Sequence, residues 1–252
     1  MMNSISSIKT TNSIIAEVMI CRTLPKMEEI ELIKTGLNNV FTFIAHDGSK
    51  RLVTKALVPG IHNEKILTVR NEEYRIWDPY HSKLAALIVK GVPLPIKKDS
   101  TVLYLGAANG TTVSHVSDIV SEGTVFAVEF SPRAMQDLIQ VSIPRMNLIP
   151  ILADAQHPNS YRNMVPEVDL IYQDVAQREQ AQIAIRNSEL FLKKEGILVL
   201  MIKSMSIDSA KKTGEIIDKE IKRLEELFSI KGQINLEPFH SDHAAVIAQK
   251  GL

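Results

Sequence analysis

The sequence predicts a doubly wound, mostly parallel α/β sheet with an antiparallel edge, preceded by a small β-rich domain. Three observations carry this expectation. Past Pro79, short apolar runs alternate with amphipathic segments, as in "STVLYLG", "TTVSHVSDIV", "TVFAVEF" and "PRAMQDLIQVSI". That rhythm belongs to parallel strands joined by crossover helices, covered on both faces. Before Pro79 the text reads strand, turn, strand, without helical periodicity. At the far end "KGQINLEPF" and "HAAVIAQ" follow one another with no helix between them, which predicts antiparallel pairing.

A chain of 252 residues accommodates one α/β domain and a small appendage. Residues 1–25 are polar and Ser/Thr-rich and predict an N-terminal extension outside any core. Residues 26–75 form the β-rich domain: Val40 to Ala45 is an apolar run, Asp47-Gly48 in "HDGSK" is a hairpin dipeptide, and Leu52, Thr54 and Ala56 alternate after it. "KILTVRNEEYRIWDPY" reads as strand, polar turn, strand.

Residues 76–252 hold the larger domain. "HSKLAALIVKG" places Leu84, Leu87 and Ile88 on one helical face and stops at Gly91, a helix terminator. After it come strands in "STVLYLG", "TVFAVEF", "LIPILAD", "VDLIYQDV" and "GILVLMIK". Helices are expected in "TTVSHVSDIV", "PRAMQDLIQVSI" and "REQAQIAIRNSELFLKK", and a long charged one over roughly 208–228.

Composition excludes several classes. The 45% hydrophobic and 23% charged content is that of an ordinary globular chain. Lys and Arg number 29, as do Asp and Glu, so overall charge gives no drive toward nucleic acid. With aromatic residues at 5%, composition offers no stacking platform like those of single-strand binders. The single Cys21 excludes an intramolecular disulfide and suits a reducing interior. No apolar run reaches the roughly 20 residues that span a bilayer. The opening stretch lacks the charged head of a signal peptide, so a cytoplasmic location is expected. The seven histidines show no metal-ligand spacing, and no metal is expected.

In open α/β sheets ligands bind beyond the carboxyl ends of the strands, and here those ends carry polar residues in sequence. The first ends in Gly106-Ala-Ala-Asn-Gly110 and leads into Thr111 and Thr112. The second ends in Glu129-Phe130, the third in Asp154-Ala155, the fourth in Asp174-Val175-Ala176-Gln177, and the fifth in Lys203. An acid at Glu129's distance from a glycine turn accepts the hydroxyls of an adenosine ribose, which suits both NAD and S-adenosylmethionine. Ala108 stands where a dinucleotide fingerprint has its second glycine, obstructing a pyrophosphate. The methyl donor is therefore favoured over NAD.

Plainer readings exist for each residue taken singly: Thr111 as a helix cap, Glu129 as a solvated strand end, Asp154 as a turn residue. Asp174 and Lys203 both follow fully apolar runs and should face a cleft, where a simple rim ion pair is the alternative. By spacing alone, Lys83 reads as a solvated helix lysine and His243 as an ordinary strand-edge histidine.

"YRIWDPYHSKLAALIVKG", "VLYLGAANGTTVSHVSDIV", "VFAVEFSPRAMQDLI", "NLIPILADAQHP", "VDLIYQDVAQREQA" and "LVLMIKSMSID" together resemble the fibrillarin family, from about residue 30 to the C-terminus. The resemblance implies a Rossmann-like methyltransferase sheet. It implies transfer of a methyl group from S-adenosyl-L-methionine to ribose 2′-hydroxyls of rRNA and tRNA, at sites chosen by box C/D guide RNA. Implied partners are the guide RNA with its paired target, a Nop-domain scaffold protein and a kink-turn-binding ribosomal-type protein. No Gly/Arg-rich leader is seen, so the archaeal form is the closer likeness.

By position, the family's cofactor contacts fall on Thr111, Thr112, Glu129, Phe130, Asp154, Ala155 and the segment Asp174–Gln177, beside the Gly106 turn. Its catalytic set falls on Lys83, Asp174, Lys203 and His243, which reverses the readings of Lys83 and His243 from spacing. Asp78 and Asn109 stand where related sequences often carry Asn and Ser, and Tyr172-Gln173 before Asp174 is unusual.

Overall fold

The computed structural model describes residues 30–60, 64–208 and 212–251. The expected extension at 1–25 lies outside them. Five strands come first: β1 (Ile33–Lys34), β2 (Val40–Ile44), β3 (Lys50–Lys55), β4 (Ile66–Val69) and β5 (Glu72–Trp77). They form one antiparallel sheet in the order β1-β2-β3-β5-β4. Two hairpins follow local chemistry. Gly48 turns at φ 76° while Asp47 Oδ1 accepts the Ser49 N–H at 2.9 Å. Arg70 and Asn71 both adopt positive φ between β4 and β5, the requirement of a primed two-residue turn. The sheet runs to Trp77, two residues past the expected boundary at 75.

The rest alternates as expected: α1 (Lys83–Val89), β6 (Thr101–Leu105), α2 (Thr111–Ile119), β7 (Thr124–Glu129), α3 (Pro132–Ser142), β8 (Leu148–Leu152), β9 (Val168–Gln173) and α4 (Gln180–Phe191). Then come β10 (Leu192–Lys203), a single turn α5 (Ser204–Ile207), α6 (Thr213–Leu224), β11 (Phe228–Asn235) and β12 (His243–Lys250). The seven strands are ordered β11-β12-β10-β9-β6-β7-β8. The strand order reverses between β6 and β9, so their carboxyl ends open the crevice where such folds bind ligands.

Alternate residues of each central strand feed opposite cores. Val102, Tyr104, Ala127 and Val199 pack with α1, α2 and α3, whereas Leu103, Leu105, Val128 and Ile171 pack with α4 and α6. Period-2 burial on both faces is why these strands read as continuous apolar runs.

Two details differ from the sequence reading. Helix α4 stops at Phe191, and "LKK" already belongs to β10. Leu192 pairs with Val168 of β9, and an irregularity before Ile197, with Glu195 at φ 59°, takes up the extra residues. The long helix expected over 208–228 is shorter, since Phe228 is buried at the start of β11. The antiparallel edge expected from the last two strands is present: β12 runs antiparallel to both β10 and the edge strand β11.

The two sheets are joined through the polar face of α2. Asp118 is fully buried: Oδ2 accepts from Arg75 Nη1 at 2.7 Å and Thr54 Oγ1 at 2.8 Å, and Oδ1 from Arg145 Nη1 at 2.7 Å and the Leu57 N–H at 3.1 Å. His115 stacks on Trp77 at 4.7 Å. Four charge-assisted bonds satisfy a carboxylate that would otherwise be costly to bury.

Candidate active site

The turn after β6 is shaped by backbone. Gly106 has φ 83°, and a Cβ there would collide with the Asp174 carbonyl and lie 3.2 Å from Val175 Cγ1. Only glycine lets the β6 and β9 ends approach this closely. Ala108 is also left-handed, at φ 48°. Its N–H donates to Glu129 Oε2 at 2.8 Å, and the Ser131 N–H donates to Oε1 at 2.8 Å. Glu129 is thereby fixed at the end of β7, only 6% exposed, with its outer lone pairs still open to two hydroxyl donors. Asn109 Oδ1 accepts the Thr111 hydroxyl at 3.1 Å, so the residue that departs from the family pattern supports the start of α2.

At the next strand end Asp154 Oδ1 accepts the Gln156 N–H at 2.9 Å and the more distant Gln177 Nε2 at 3.5 Å. Gln177 Oε1 is buried without a hydrogen-bond partner, an acceptor awaiting a donor at this rim. Ala155 is buried beside it and Phe130 is 64% exposed. An exposed ring, a preset acid and an orphaned acceptor fit an adenosine with its sugar and a charged tail. Thr112 points elsewhere: its hydroxyl donates to Ser82 Oγ at 3.2 Å. Ser82 is the N-cap of α1, accepting the Ala85 N–H. The turn is therefore tied directly to the helix that begins with Lys83.

Lys83 Nζ lies 2.9 Å from Asp174 Oδ2, with the two side chains only 17% and 22% exposed. The rim ion pair that is the plainer alternative for Asp174 with Lys203 is not what forms: the carboxylate pairs with Lys83. Lys203 ends β10 opposite His243 of β12 in the antiparallel register. Burial holds His243 below its ordinary value; Lys83 and Lys203 add repulsion, while Asp174 opposes them. All four sequence-nominated residues therefore share one neighbourhood. His243 Nδ1 bonds to the Ser241 carbonyl, which requires Nδ1–H and leaves Nε2 as an acceptor.

Three residues in this neighbourhood escaped the sequence reading. His240 Nε2 donates to the Pro79 carbonyl at 2.9 Å, and its ring meets that of His243 at 5.9 Å. Burial and then Lys83 lower its proton affinity. The rings of Tyr104 and Tyr172 meet at 4.6 Å, tilted by 36°, and burial, with the Asp174 charge adding, raises both phenols. The second departure is benign: Asp78 Oδ1 accepts the Tyr80 N–H and Oδ2 meets His81 Nδ1, both at 2.9 Å.

Comparison with known proteins places the fold in one family. The fibrillarin family profile matches residues 32–251. The fibrillarin-like rRNA/tRNA 2′-O-methyltransferase of Methanosarcina barkeri is 50% identical over 229 residues, 88% of this chain and 99% of that protein. Aeropyrum pernix fibrillarin, solved in complex with natively bound S-adenosyl-L-methionine, superposes with a TM-score of 0.81 at 44% identity, covering 87% of this chain and 99% of that one. A fibrillarin/Nop5p complex gives 0.76 at 42% identity, covering 83% and 97%. The chain belongs to the fibrillarin family.

Proposed function

We propose that this protein is an S-adenosylmethionine-dependent RNA 2′-O-methyltransferase acting on rRNA and tRNA at positions selected by a box C/D guide RNA. The Lys83–Asp174 pair beside Lys203 and His243 is the observation that carries this reading. Bound S-adenosylmethionine supplies an electrophilic methyl carbon. Glu129 would hold the ribose of that cofactor, and Asp154 with Gln177 its base. Phe130 would cover the ring, and the Gly106 turn with Val175 and Ala176 would line the tail.

The chain's own residues handle the nucleophile. Lys83 occupies Asp174 Oδ2, which leaves Oδ1 to accept the 2′-hydroxyl and turn its oxygen toward the methyl group. Lys203 stabilises negative charge as it develops on that oxygen. His243 Nε2, unprotonated near neutral pH, takes the proton onward. Target choice by base pairing to a guide fits a chain with zero net charge. A Nop-domain scaffold is supported by the Nop5p complex of the related fibrillarin; a kink-turn-binding protein completes the assembly we propose. Among the described residues no helix is long and apolar enough to cross a membrane.

The test is transfer of labelled methyl to guide-paired RNA by the assembled particle. Wild type should methylate the single guided ribose. Asp174→Ala and Lys203→Ala should lose most turnover while the particle still forms. Near wild-type turnover in both would overturn the assignment.

A further inference from the structure

Strand β9 ends at Gln173, and the last residue of β10 that it covers is Leu200. Lys203 therefore lies beyond the β9 ladder, although β12 still faces it through His243. One side chain takes the place of the missing strand, that of Gln180, the first residue of α4. Its Oε1 accepts the Lys203 N–H at 2.9 Å, and its Nε2 donates to the Lys203 carbonyl at 3.3 Å. A carboxamide carries the donor and the acceptor of a peptide unit, so Gln180 pairs with Lys203 much as a neighbouring strand would.

The same Nε2 also donates to the Gln177 carbonyl at 2.9 Å. Gln180 is thus bonded on one side to the residue that ends β10, and on the other to the segment that begins with Asp174. It is held in turn: the residue is fully buried, and Gln173 Nε2 donates to its backbone carbonyl at 2.7 Å. The plainer role for such a side chain is to satisfy buried backbone groups where a strand runs out. What exceeds that role is the choice of positions joined. One carries the cation and the other the carboxylate of the proposed reaction, and they reach the crevice on different strands.

We infer that Gln180 is a positioning residue, which sets Lys203 against the Asp174–Gln177 segment and so fixes the spacing between the two catalytic side chains. The inference rests on the roles proposed above for Lys203 and Asp174. Gln180 acts through Lys203 and touches neither reacting atom. A misplacement of about 1 Å at a reacting centre costs on the order of 100-fold. The long Lys203 side chain absorbs part of any backbone shift, so the loss expected here is smaller.

Single-turnover methyl transfer by the assembled particle at saturating cofactor tests this. Gln180→Met keeps the volume and removes all three side-chain bonds. The rate should fall about tenfold, while cofactor affinity and the half-saturating concentration of target RNA hold. In a Lys203→Ala background there is no ammonium left to position, so Gln180→Met should add no further loss. An equal loss in that background, or an equal loss of cofactor affinity, would overturn the inference alone. Hydrogen exchange at the Lys203 amide of the purified protein reads the same contact without turnover. It should be slow in wild type and fast in Gln180→Met, with the Val199 amide inside the β9 ladder protected in both. Gln180→Asn, one methylene too short to reach, should behave like Gln180→Met. A freely exchanging Lys203 amide in wild type, or a wild-type rate in either folded variant, would also overturn the inference. Absence of transfer by wild type would overturn both this and the proposed function.

Discussion

Lys83 and Asp174 stand 91 positions apart in the chain and meet at 2.9 Å in the crevice. Lys83 opens α1, whose N-cap Ser82 is bonded to Thr112, and Asp174 follows β9 at the reversal of strand order. Replacing Lys83 by Met removes the cation that orients the carboxylate and leaves Asp174 half-buried and unpaired. Single-turnover transfer should slow by about 100-fold or more, in the range of positioned acid–base groups. Cofactor affinity should change little if, as proposed, Lys83 serves the nucleophile through Asp174. Equal losses in affinity and rate would show that Lys83 serves cofactor binding.

Gly106 makes the two halves of the site interdependent. A methyl group there strikes the Asp174 carbonyl and demands a left-handed conformation, φ 83°, from an L-residue. Gly106→Ala should therefore weaken S-adenosylmethionine binding and displace Asp174 together. Calorimetry should show at least a tenfold loss of affinity, beyond the roughly 1 kcal/mol cost of the backbone conformation alone. Gly110→Ala is a useful contrast. It carries the same left-handed penalty, at φ 94°, but its nearest neighbours are side-chain atoms of Leu138 and Val141 at 3.2 Å rather than the backbone of β9.

Asp118 is the stability centre between the two sheets. It takes bonds from both Arg75 and Arg145 while fully buried. Truncation to Ala would leave two buried guanidinium groups without their carboxylate. Breaking such a pair costs about 3–5 kcal/mol. Asp118→Ala should lower the thermal midpoint by several degrees or more, and the measurement is calorimetric unfolding of the purified protein. A midpoint within one or two degrees of wild type would show that the network is not a net stabiliser.

This network also marks where the sequence stopped being legible. The strand ends were readable because apolar runs in α/β folds terminate in polar residues at the crevice, so Gly106, Glu129, Asp154, Asp174 and Lys203 appeared in order. In the sequence Ser114, His115, Ser117 and Asp118 are polar residues of a segment expected to be helical, and nothing there marks them as buried. They are buried because β3 and β5 cover that face with Thr54 and Arg75, a docking that no local pattern encodes. His240 was missed for a related reason. It becomes part of the site only because the β11–β12 connection folds against the β5–α1 loop. Conversely "LFLKK" has helical propensity, but pairing of Leu192 with Val168 prevails over it.

The depressed proton affinity of His243 gives a pH signature with a definite sign. Burial is the main cause, followed among charges by Lys83 and Lys203. The unfolded chain, with histidine at its ordinary 6.5, binds more protons than the folded one between the two values. Unfolding free energy therefore rises with pH through that window, and this contribution is complete above about 6.5 and lost as pH falls below it. Turnover should decline over the same acid range as Nε2 gains a proton and ceases to accept one. NMR titration of the His243 C2 proton should give a midpoint below 6.5. Lys203→Met should move it upward, because one repelling cation has gone. A midpoint that ignores Lys203 would separate the two residues electrostatically and remove His243 from the proton path.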